Sequence, residues 1–192
     1  YAIKGNLEAL KSNKRFEDVD LNRIWTRSKI HKLEHAKSKF SEIEEQKSIY
    51  ALIKDILVYN KGPFYFLDLH TTSSDTKPFI TISDSLNNRR FTAKFNLPVI
   101  LGIEEYLDGP LLTYLNEFGH ISLGFEAGQH DDQQSIINCE SFIWLALVKS
   151  GCIKLRTLKN YQDYKAILKL EEPSNFYHIK YKYEIGKDEI FQ

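Results

Sequence analysis

At 192 residues with 42% hydrophobic side chains, the chain is long enough for about one domain with a sizeable core. Its 26 basic and 26 acidic residues cancel to a formal net charge of zero, which argues against nucleic-acid or anionic-membrane binding. Two cysteines, Cys139 and Cys152, are too few and too far apart for a disulfide framework or a zinc knuckle, no apolar run approaches a membrane span and no signal peptide opens the chain, so a reducing, cytoplasmic setting is expected.

The chain begins at Tyr1 and contains no methionine, so it reads as a piece of a longer protein or as one from which modified methionines are missing. Residues 1–5 have the look of a strand end, and Gly5-Asn6 is a turn signal before a short helix over 7–10. Residues 13–25 are polar and non-periodic, with Phe16 and Trp25 as aromatic anchors. They read as a packed loop whose side chains are available to a ligand. Residues 29–39 are basic and read as a solvated connection or helix. Their histidines, His31 and His35, have a spacing that a metal can use on a helix, but no third ligand accompanies them. Ser41-x-x-Glu44 has the form of a capping box, and Ile49, Tyr50, Ile53, Ile56 and Leu57 follow at helical spacing, so residues 42–59 are predicted to be an amphipathic helix covering a sheet.

Residues 64–70, Phe-Tyr-Phe-Leu-Asp-Leu-His, are entered through Gly62-Pro63 and left through small polar residues, which predicts a buried strand ending in a loop. Asp68 and His70 are two apart and therefore share a face of that strand. An acid and an imidazole at the carboxyl end of a strand stand where an open α/β sheet places ligand chemistry; a core histidine tied to a neighbouring carboxylate is the alternative. Strands are further predicted over 79–82 and 98–102, and helices within 84–95 and over 111–118. Ile121, Leu123 and Phe125 alternate like a strand, which puts Glu126 at its end, just before Gly128 lets the backbone turn. That carboxylate suits a general base, or an acid capping the next helix, predicted over 131–150 and closed by Gly151. A polar helix near 161–170 and a break at 171–174 precede residues 176–185, which alternate as a β-strand. The predicted organisation is an α/β domain over 1–172, with helices on both faces of the sheet, and the beginning of a C-terminal β domain over 173–192.

Three motifs fall into that frame in order: Arg15 followed by Asp20-Leu-Asn22-Arg23, then Asp68-Leu-His70, then Phe125-Glu126-Ala-Gly128. Together they resemble the succinylglutamate desuccinylase and aspartoacylase family, relatives of the zinc carboxypeptidases, over most of the chain. The resemblance implies a mixed central sheet and a single catalytic zinc held by a His and a Glu three residues apart and by a later His, which leaves one position for water. His70 matches the later ligand and Asp68 the acid that orients its imidazole, while the early His and Glu are expected upstream of Tyr1. Glu126 matches the general base, Arg15 the arginine that stabilises a developing oxyanion, and Asn22 and Arg23 the pair that binds a substrate carboxylate. Where aspartoacylase has a further arginine ten residues before its base, this sequence has Asn116, with Tyr114 nearby as a substrate-binding candidate. That departure speaks against an acyl-aspartate substrate.

The function implied is zinc-dependent hydrolysis of the amide bond of an N-acyl amino acid or a similar small carboxylate, with no nucleic-acid or membrane partner and with a homo-oligomer left open. The alternative is a carboxylate-binding or scaffold protein of the same descent that has lost the metal. His130 reads as a polar rim residue or a helix-start contact.

Overall fold

The computed structural model describes residues 1–33, 38–169, 175–183 and 186. Among them the apolar runs become strands β1 (Tyr65–Thr72), β2 (Phe79–Ile82), β3 (Val99–Leu101), β4 (Ile121–Gln129) and β5 (Phe176–His178), paired in the order β1-β4-β2-β3-β5. β1 runs parallel to β4, β4 antiparallel to β2, and β2, β3 and β5 parallel to one another, so the sheet is mixed. Helices α1 (Leu7–Lys11), α2 (Arg27–Leu33), α3 (Ser41–Tyr59), α4 (Leu86–Thr92), α5 (Leu111–Asn116), α6 (Gln133–Lys149) and α7 (Tyr161–Ile167) complete the described elements. Helices cover both faces, as predicted, because each face of the sheet has its own apolar set.

Strand periodicity separates those sets. Leu123 and Phe125 of β4, with Ile80 of β2 and Val99 of β3, pack on one face against Phe142 and Leu145 of α6. The Phe142 ring is fully buried and lies flat on Phe125, with ring centroids 4.0 Å apart and planes at 2°. Phe142→Ala would remove that stack and its contact with Phe95. It is expected to lower unfolding free energy by about 3–5 kcal/mol, read from urea denaturation midpoints. The other face carries Phe66, Asp68 and His70 of β1 beside Ser122, Gly124 and Glu126 of β4. At its start Phe66 joins a second core made by Ile49 and Ile53 of α3, Tyr114 and Leu115 of α5, and Trp25. Further along, the same face turns polar, and there the predicted site residues stand.

Several expectations need correction. Residues 1–5 form no strand, and Phe16 is 42% exposed rather than an anchor, whereas Trp25 is buried. α2 is not wholly solvated: Ile30 and Leu33 seat it on the second core. His31 is exposed, and His35 lies outside the described residues, as do 171–174 and Ile185. Ser41 does not cap α3; Phe40 occupies the cap position without a side-chain bond, and Ser41 is already helical. β1 is half-buried rather than buried because it lies at the edge of the described sheet. Both β1 and β4 run on past the predicted ends, so His70 and Glu126 sit within strands, not at their last residues. α6 starts at Gln133, with Asp132 as its N-cap accepting from Gln134 N at 2.9 Å. Of the strand expected over 176–185, Phe176–His178 alone forms one among the described residues, residues 179–183 being irregular, and this β5 pairs with β3 in the same sheet. Among the described residues no helix is long and apolar enough to cross a membrane.

Candidate active site

The site is built on the β1–β4 pair. In the parallel register His70 lies directly beside Glu126, on strands separated by about 4.8 Å. Two residues before His70 on the same face, Asp68 accepts a hydrogen bond from His70 Nε2 to its Oδ2 at 2.8 Å. That bond orients the ring and leaves Nδ1 for another partner. Asp68 faces Gly124, where a Cβ would come within 2.4 Å of Thr81 Oγ1, so a glycine is what admits β2 this close to the site.

Immediately beyond the pair the strands lose their simple register. From His70 to Thr72 is two residues on β1, while the partners Glu126 to Gln129 span three on β4. The extra residue is a bulge, and Gly128, with φ +123°, supplies the backbone conformation that it requires. Bulges of this kind re-aim the side chains that follow them, here those of Gln129 and His130.

The electrostatics of the pair run in opposite senses from a common geometry. The hydrogen bond to the Asp68 carboxylate raises the His70 pKa above its ordinary value against the opposing effect of burial, and the Glu126 charge adds to the rise. Burial raises the pKa of Glu126 above the usual glutamate value; the positive charges of His70, His130 and Arg15 oppose the shift, while Asp68 reinforces it. A half-buried carboxylate with raised proton affinity, next to an oriented imidazole, can take up and return a proton.

The loop ahead of α2 folds over this polar patch around Asp20. The Asp20 carboxylate accepts from Arg15 Nε and from Asn22 N, each at 2.9 Å, and so closes the loop on itself. Asn22 is fixed at both ends of its amide: Oδ1 accepts from Leu111 N at 2.9 Å, at the start of α5, and Nδ2 lies 3.5 Å from Asp68 Oδ2. Arg23 turns back on the loop, donating from Nη1 to Asn22 O at 2.7 Å. The structure thus brings Arg15, Asn22, Asp68, His70 and Glu126 into one neighbourhood. Tyr114 is not among them. It is buried in the second core, edge-on to Tyr50 and Phe118, and its hydroxyl pKa is raised by burial and by the bond to Tyr50. The substrate-binding role expected of it is therefore withdrawn, since its ring and hydroxyl are spent on core packing. Asn116 is likewise structural, accepting from Asn88 Nδ2 at 2.9 Å and Ser85 Oγ at 3.2 Å.

Two contributors escaped sequence reasoning. Glu42, fully buried at the start of α3, accepts from the backbone N–H groups of Glu17 at 2.6 Å and Asp18 at 3.4 Å. Burial pushes its pKa up, but these N–H groups outweigh it and hold the carboxyl below the usual range, anchoring the loop that carries Arg15 and Asn22. His130 is the second: its Nδ1 lies 2.6 Å from Thr71 Oγ1 and its backbone N–H donates to Thr72 O at 2.8 Å. No local sequence signal marks Glu42, because its partners lie far back in the chain. The bulge signal for His130 was present only as Gly128.

For a zinc ion the residues present fit in part. His70, with Nε2 held by a carboxylate and Nδ1 left over, has the arrangement of a metal-binding imidazole. Among the described residues no group of three His, Cys, Asp or Glu side chains stands close enough together to hold a metal ion.

No protein-family model matches the sequence, and no curated protein matches it. Solved structures do match the fold. The succinylglutamate desuccinylase of Chromobacterium violaceum superimposes with a TM-score of 0.63 at 14% identity, over 96% of this chain and 56% of that one. A succinylglutamate desuccinylase/aspartoacylase from Rhodobacter sphaeroides gives 0.55 at 17% identity, over 76% and 43%. A product-bound ectoine utilization protein from Ruegeria pomeroyi gives 0.54 at 16%, over 76% and 44%. The chain spans about half the length of these structures and has their fold, which bears out the resemblance and the α/β class at that level.

Proposed function

We propose that this chain is a zinc-dependent deacylase that hydrolyses the amide bond of an N-acyl amino acid or a similar small carboxylate. The observation that carries the reading is the neighbourhood of His70, held by Asp68, and Glu126 on one sheet face of a desuccinylase-type fold. His70 would ligate through Nδ1, with the other ligands expected before Tyr1. When bound, zinc supplies Lewis acidity toward water and the acyl carbonyl. Glu126 takes a proton from the attacking water onto its carboxylate and delivers it to the nitrogen of the leaving amine. Arg15 offers a fixed positive charge to the oxyanion that develops on the acyl carbonyl. The carboxylate of the amino acid is taken by Asn22 Nδ2 and by the Arg23 guanidinium, which exchanges its bond to Asn22 O for a bidentate one. The reaction is proposed for a reducing cytoplasm, which free Cys139 and Cys152 suit.

The test is metal analysis of the full-length protein after zinc reconstitution, together with amine release from a panel of N-acyl amino acids. Expected are one equivalent of zinc and turnover that a chelator abolishes. Folded protein that takes up no zinc would remove the mechanism and leave the carboxylate-binding alternative.

A further inference from the structure

α3 buries one stripe, Glu42, Gln46, Ile49, Ile53 and Ile56, whose spacing of four and three keeps it on one side of the helix. Ile49 and Ile53 belong to the second core, as such positions should. The first two positions of the stripe are polar, yet they are the least exposed of the five, Glu42 at 0% and Gln46 at 1%. Burying a carboxylate and an amide is unfavourable unless each finds a partner, and both find partners in the backbone of the same loop. Glu42 Oε1 accepts from Glu17 N at 2.6 Å and Asp18 N at 3.4 Å, where the loop begins. Gln46 Nε2 donates to Ile24 O at 2.8 Å, where it ends.

Between those two points lie Asp20, Asn22 and Arg23, and Arg15 stands just ahead of the first. The segment turns through a 3-10 helix over Leu21–Arg23 and is backed at its far end by Gly109, whose O accepts from Trp25 N at 3.0 Å. A Cβ at Gly109 would come within 2.6 Å of Arg23 O, so a larger residue there would displace Arg23. An apolar residue at 42 or 46 would extend the stripe and pack against many loop conformations, because apolar contact has no direction. A hydrogen bond to a particular backbone group is directional and admits far fewer. We infer that Glu42 and Gln46 are positioning residues: α3 clamps the loop at both ends, which sets Asn22 and Arg23 toward the substrate carboxylate and Arg15 toward the acyl oxygen. The roles of those three side chains rest on the deacylase reading, whereas the clamp itself can be measured without turnover.

The experiment compares full-length, zinc-reconstituted wild type with Glu42→Leu, Glu42→Gln, Gln46→Leu and Phe142→Ala, the last lowering stability from the other face of the sheet. Amide hydrogen exchange over residues 17–25, followed by mass spectrometry, is expected to run about tenfold faster in Gln46→Leu and faster still in Glu42→Leu, with α6 unchanged. Glu42→Gln keeps an acceptor oxygen and should stay close to wild type. With the best substrate of the N-acyl amino acid panel, Gln46→Leu should raise KM about tenfold at nearly constant kcat, because Ile24 adjoins Arg23. Glu42→Leu should lower kcat as well, because Glu17 lies beside the segment that carries Arg15, and all the variants should keep their zinc. Phe142→Ala, assayed where it remains folded, should keep the wild-type KM. Wild-type exchange over 17–25 in Gln46→Leu, or a KM shift there no larger than in Phe142→Ala, overturns the clamp, and this variant decides even if Glu42→Leu fails to fold. A wild type that hydrolyses no N-acyl amino acid defeats the deacylase reading, and exchange over 17–25 still decides whether α3 holds the loop.

Discussion

Glu126→Gln is expected to lower kcat by about three orders of magnitude while zinc remains bound in stoichiometric amount. The substitution preserves shape and hydrogen-bonding reach, but an amide cannot accept the proton of the attacking water. A loss of this size in kcat, with KM little changed, is what removal of a proton carrier predicts. A Gln variant with near-normal turnover would take Glu126 out of the mechanism. The wild-type rate should also show an acid limb. The proposed mechanism requires ionised Glu126, whose pKa burial raises above the ordinary 4.5, so the rate should fall as pH drops through a midpoint higher than that value. The same shift has a stability consequence of definite sign. A carboxyl whose pKa is raised on folding binds its proton more tightly in the native state, so its ionisation at neutral pH opposes folding. Glu126→Gln should therefore melt no lower than wild type at pH 7, and thermal denaturation of the two proteins checks it. Loss of activity with retained or improved stability is the signature of a group kept for chemistry.

Asp68→Asn is expected to weaken zinc binding about 10–100-fold, measured by competition with a chromophoric chelator. Asp68 Oδ2 receives the His70 Nε2 hydrogen bond at 2.8 Å, and Asn22 Nδ2 stands at 3.5 Å from the same oxygen. Replacing the carboxylate with an amide lowers the basicity of the imidazole and loosens its orientation without removing the ligand. An unchanged zinc affinity would mean that Asp68 does not support His70 as a ligand. The metal-free protein gives an independent reading. The His70 pKa is raised above 6.5, chiefly by the bond to Asp68, so the pair stabilises the fold fully below that value. Its contribution is lost as pH rises through the higher folded-state pKa. The stability difference between wild type and Asp68→Asn in metal-free protein should accordingly shrink on going from mildly acidic to alkaline pH, as chemical denaturation at the two conditions would report.

How these groups come together shows which parts of the molecule were legible in the chain. That Asp68 and His70 share a face follows from the two-residue period of an extended strand, a local property that any neighbour of β1 must respect. The separation of Phe125 from Glu126, one to the core and one to the site, follows from the same period. The helices over 42–59 and 131–150 were visible as apolar stripes, although their first residues were not. Tertiary partners take the residues at a helix start: Ser41 is already helical and its Oγ donates to Glu42 Oε2 at 3.2 Å, while Glu42 accepts from the backbone of Glu17 and Asp18.

What the chain alone determined, then, is the α/β alternation, the face on which each strand residue lies, and the order of the Arg15, His70 and Glu126 segments. The tertiary structure alone decided that β1 and β4 are neighbours in the register that sets His70 beside Glu126, that a bulge at Gly128 carries His130 to Thr71, and that Tyr114 belongs to the core. The reason is physical: periodicity is written into consecutive residues, whereas strand order and register are set by how distant apolar faces pack, and no single segment contains that information.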